Sequence, residues 1–107
     1  MRRFALLLML FTATPAAACI GPAAPHLERL AASGLPTEAL DGDAMARALA
    51  SLRERIDFDE APTRIVAVFG AQRAAVWLIV DEQLCNIIYG PAEDVRAIMR
   101  TARGVES

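Results

Sequence analysis

The chain has 107 residues and a formal net charge of -2, so it holds one domain and lacks the basic excess that nucleic acid or an anionic membrane surface selects. Its hydrophobic content is 55%, high for a domain in water, and part of that excess is concentrated at the amino terminus. All eleven basic residues are Arg, which together with heavy use of Ala reads as a GC-rich coding bias and a bacterial source.

Arg2 and Arg3 precede an apolar run from Phe4 to Phe11, and small residues from Thr12 to Ala18 end in three alanines before Cys19. Charge, apolar core and small residues in that order predict a secretory signal peptide over residues 1–18. The apolar run is too short to cross a hydrocarbon layer of about 30 Å as a helix. Its removal leaves nine Arg against thirteen acidic residues, so the mature chain is acidic. No other run approaches the roughly 18 apolar residues that a membrane span needs. The expected location is the periplasm or the outside of the cell.

Residues 19–107 then read as a single small domain. Residues 19–25 form a linker with Pro22 and Pro25, and a short helix follows from His26 to Ser33, closed by Gly34 in the left-handed position. Leu27, Leu30 and Ala31 share its apolar side, and Leu35-Pro36 breaks the chain after it. Asp41 or Asp43 can cap a second helix from Asp43 to Ile56. Met45, Leu49, Leu52 and Ile56 repeat along it at helical spacing as one stripe. The acidic connection Asp57, Asp59 and Glu60 lacks the spacing of a calcium loop and reads as a solvated turn.

From Arg64 to Tyr89 come three runs rich in β-branched, aliphatic and aromatic residues, RIVAVF, AVWLIV and LCNIIY, separated by two small polar breaks. These predict an antiparallel meander. Gly90-Pro91 then opens a last helix whose Val95, Ile98, Met99 and Ala102 lie on one face, with Gly104 at its end. The expected fold is therefore α+β, a three-stranded antiparallel meander covered by two or three helices in the order α-α-β-β-β-α.

In an oxidising compartment the two cysteines, Cys19 and Cys85, read most simply as a disulfide. The competing role for Cys19 is the lipid-bearing first residue of a lipoprotein. Ala16 stands where such a signal usually carries a large aliphatic residue.

Two-residue turns at Ala71-Gln72 and Glu82-Gln83 would set Val66 opposite Trp77 and Trp77 opposite Ile88. Ile65, Ala67, Phe69, Ala74, Val76, Leu78, Val80, Cys85, Ile87 and Tyr89 then form an apolar core face. The second face carries Arg64, Val66, Val68, Ala75, Trp77, Ile79, Asn86 and Ile88. An apolar row rimmed by Arg and Asn is typical of a contact surface, so Arg64, Val66, Trp77, Ile79, Asn86 and Ile88 are the candidate partner surface. The alternative is that the first helix covers this face through Leu27 and Leu30.

Catalytic groups are sparse. His26 is the only histidine, Ser33, Ser51 and Ser107 lie outside any nucleophile elbow, and Asp81 and Glu82 are neighbours in a turn. Gly70 reads as a turn glycine, and the cysteines have no Cys-x-x-Cys spacing. A copper site from Cys19, Cys85, His26 and a Met would need Met45 or Met99, which sit on core stripes. The expectation is a non-enzymatic exported protein without cofactor or metal, which binds an envelope or secreted protein, or a second copy of itself, as an inhibitor, immunity protein or accessory module. The second expectation is a periplasmic small-ligand or metal-binding module with Asn86 as its polar contact.

Overall fold

A computed structural model of the chain describes residues 11–13 and 19–104. Most of the expected leader, residues 1–10 and 14–18, lies outside the described residues, as does Ser107. The elements are β1 (Thr12–Ala13), β2 (Gly21–Pro22), α1 (Ala23–Ser33), β3 (Thr37–Leu40), α2 (Gly42–Arg53), β4 (Arg64–Phe69), β5 (Arg73–Val80), β6 (Gln83–Pro91) and α3 (Ala92–Ala102).

The small α+β class holds, but the sheet has six strands and not three. Its order is β1-β6-β5-β4-β3, all antiparallel, with β2 also paired to β6. The expected meander β4-β5-β6 is the centre, and short strands extend both edges. None of the three added strands is long enough to show an alternating pattern. β1 and β2 have two residues each, and in β3 only Leu40 is buried. Tertiary pairing makes them strands, as where the Phe69 N–H donates to the Pro36 carbonyl at 3.0 Å just before β3.

The linker expected over 19–25 is likewise edge strand and helix. Ile20 N–H donates to Leu84 O at 2.6 Å and Ala23 N–H to Glu82 O at 2.8 Å, and α1 begins at Ala23. Pro25 falls in its first turn, where an amide has no helical partner to lose. Gly34 ends it at φ 79°, a conformation that costs a glycine little. α2 stops at Arg53, and the chain turns on through Ile56, whose N–H reaches Leu52 O at 3.0 Å. Asp41 stands at the N-cap with extended backbone, but its side chain makes no capping bond.

Helices cover both faces of the sheet. Leu49 and Leu52 of α2 and Val95, Ile98, Met99 and Ala102 of α3 pack on Ile65, Ala67, Phe69, Ala74, Val76, Leu78 and Ile88. On the other face Ala23, Leu27 and Leu30 of α1 pack on Val66, Val68, Ile79 and Leu84.

The β4–β5 register is the expected one, with Phe69 opposite Ala74 and Val66 opposite Trp77. The β5–β6 register differs. The turn is Asp81-Glu82, both at positive φ (49° and 67°), and Val80 faces Gln83. An irregularity then lets Leu78 face Asn86 while Ile79 faces Leu84, so Cys85 is the extra residue of a bulge. The turn moves the strand by two positions and the bulge returns one, which displaces residues 86–89 by one and exchanges their faces. Ile88 therefore enters the main core, and Ile87 joins the α1 side.

Candidate functional site

Of the six residues expected to form a partner surface, the four on β4 and β5 do share a face, but α1 lies across it. Val66 and Ile79 are buried under α1. Trp77 is half-buried, with the His26 ring edge-on at 6.3 Å between centroids. Arg64 pairs with Glu82 at 3.0 Å. The other two leave that face through the shift in β6. Ile88 lies in the main core, and Asn86, 5% exposed, donates Nδ2 to Glu60 Oε1 at 3.1 Å. These six residues do not make one exposed patch. An apolar strip on this face is only partly covered: Trp77 faces Ile87, both half-buried beside α1, and Ala75 faces Tyr89, which is 37% exposed.

That strip borders the outer edge of β6, where the less ordinary geometry lies. Backbone groups alternate in direction along an antiparallel strand. The Gly70 N–H donates to Arg73 O, so Arg73 turns to β4, Ala74 turns to β6, and its partner Gly90 turns back to β5. The groups of Tyr89, Ile87 and Pro91 then face outward. Each outward position is treated differently. Ile87 N–H is met by the Oδ1 of Asn86 at 2.7 Å, and Pro91 has no N–H. Tyr89 turns both an N–H and a C=O to the outer edge, and there it faces Thr12 of β1.

The lower half of the same edge is closed by covalent means. Cys19 is bonded to Cys85, which fixes the segment that continues into β2 against Gln83 and Leu84. The expected disulfide is thus present, and with its sulfur so bonded Cys19 has no thiol to carry a lipid. Such a bond fits an oxidising compartment.

β1 brings a side chain as well as a backbone. Phe11 packs beside the main core with Ala13, Ile56 and Phe58. Its ring lies on Gly90, so closely that a β-carbon at Gly90 would overlap it. The Arg55 guanidinium stands 6.0 Å from the ring centroid. Gly90 ends the apolar run IIYG, and a glycine inside a strand marks a close approach of another group. That signal was available in the sequence. The importance of Phe11 was hidden by its place in the apolar run of the leader.

Several of the other polar groups are engaged locally. Ser33 Oγ bonds Leu30 O at 2.6 Å, His26 rests on Trp77, and Glu60 accepts from Asn86. Arg103 pairs with Glu38, and Arg96 lies over the Phe69 ring at 4.8 Å. Among the described residues no three His, Cys, Asp or Glu side chains converge as metal ligands would. No helix among them is long and apolar enough to cross a membrane.

No protein-family model, curated protein or solved structure matches this chain. What can be said of its function rests on the edge itself.

Proposed function

We propose that this is an exported, non-enzymatic protein that works by binding another protein, and that the contact surface is the outer edge of β6 with the Trp77–Ile87–Tyr89 strip beside it. The observation that carries the reading is the pairing of Tyr89. Its outward backbone groups face a two-residue strand that belongs to the leader read from the sequence. Cleavage after Ala18 would leave β2 tied to β6 by the disulfide and take β1 away. The mature sheet would then end in an unpaired strand next to the exposed Tyr89 and the half-buried Trp77 and Ile87, a combination that recruits another chain.

Inhibition of an envelope enzyme, immunity to a toxin and service to an envelope complex are all uses of such an edge. Native mass spectrometry of the protein purified from its host's envelope tests the reading. The expected spectrum shows a chain that starts at Cys19, two hydrogens light, in a stoichiometric complex with a second protein or a second copy. A bare monomer at every concentration would refute it.

A further inference from the structure

Building on that reading, we infer that the β6 edge takes a short extended segment whose aromatic side chain lies over Gly90, with a small residue two positions further on, antiparallel to β6. Phe11, Thr12 and Ala13 are the template. Thr12 faces Tyr89 and Ala13 faces Ile88, so side-chain alternation puts Phe11 and Ala13 on the core side and Thr12 outside.

Three features limit the occupant. Tyr89 offers both backbone groups, whereas Asn86 closes Ile87 and Pro91 lacks a donor, so a longer strand gains little further pairing. Gly90 leaves a flat notch with no side chain of its own, and a planar ring fills it where a branched aliphatic chain would not lie flat. The Arg55 guanidinium at 6.0 Å favours an aromatic face over an aliphatic one of equal size. In the precursor the leader fills this slot itself, so partner binding begins with processing.

The test uses the processed protein purified from the envelope and a labelled peptide Met-Leu-Phe-Thr-Ala-Thr, the sequence of residues 9–14. Fluorescence anisotropy should show saturable binding. A peptide with the Phe11→Ser change should bind several-fold to about tenfold more weakly, the loss expected when a partly buried aromatic ring is removed. Gly90→Val in the protein, with Gly90→Ala as the milder variant, should weaken the parent peptide by a similar factor while the thermal midpoint stays near wild type. No binding, equal binding of the Phe11→Ser peptide, equal binding by both Gly90 variants, or a purified chain that retains residues 11–13 would overturn the inference. A partner complex that survives Gly90→Val would sink this inference and leave the broader reading standing. Peptide binding by a protein that is otherwise a bare monomer would do the reverse.

Discussion

Loss of the Cys19–Cys85 bond should be among the most damaging single changes to this fold. The two cysteines are 66 positions apart, and loop-closure entropy for a chain of that length gives about 4 kcal/mol of stabilisation when the unfolded state is cross-linked. A domain of this size has a total stability of only about 5–10 kcal/mol, so the reduced protein should be close to its unfolding threshold. Urea unfolding followed by Trp77 fluorescence measures the effect. With an m-value of about 1–3 kcal/mol per M, the midpoint should fall by roughly 1.3–4 M on reduction. Reduced wild type is the better comparison, because serine at the buried Cys85 position would add a desolvation cost of its own. A drop worth less than about 1 kcal/mol would mean that the bond adds little constraint to the unfolded chain, and the entropic account would be wrong.

Leu52→Ala opens a cavity between α2 and the sheet, where Leu52 is 1% exposed, and should cost about 2–5 kcal/mol by the same assay. Asp81→Asn with Glu82→Gly should raise stability by about 0.5–1 kcal/mol, because both positions lie at positive φ in a tight hairpin and Glu82 is strained there. Trp77→Ser should loosen α1, which it meets through His26 and the second core, and limited proteolysis should then cut within residues 23–33 sooner than in wild type. An unchanged cleavage pattern would show that α1 is held by Leu27 and Leu30 alone.

Long periodic elements were legible in the sequence because their stripes are buried as wholes. Val95, Ile98, Met99 and Ala102 needed only helical spacing to be placed, and the strands of the central meander only their composition. The face assignment of β6 failed for a local reason. Asp-Glu lacks the Asn-Gly or Asp-Gly chemistry that announces a two-residue turn at positive φ, and nothing in LCNIIY marks Cys85 as a bulge. One displaced residue then moved Ile88 into the core and Asn86 off the expected surface. The covering of Val66 and Ile79 by α1 depends on how a short helix folds back, which its own apolar side permits but does not specify. Gly90 before Pro91 resembles a helix start, yet it continues the strand run of Ile87 to Tyr89 and admits a close contact.

The claim that matters most is that processing opens the edge of β6 at Tyr89, and amide hydrogen exchange of the processed protein tests it residue by residue. The account predicts fast exchange at Tyr89, whose N–H turns outward, beside slow exchange at Ile88 and Gly90, whose amides turn to β5. Addition of the residue 9–14 peptide should slow Tyr89 and leave the other two unchanged. Protection of Tyr89 equal to that of Ile88 in the processed, peptide-free protein would mean that the edge is already closed, and the proposed binding surface would not exist.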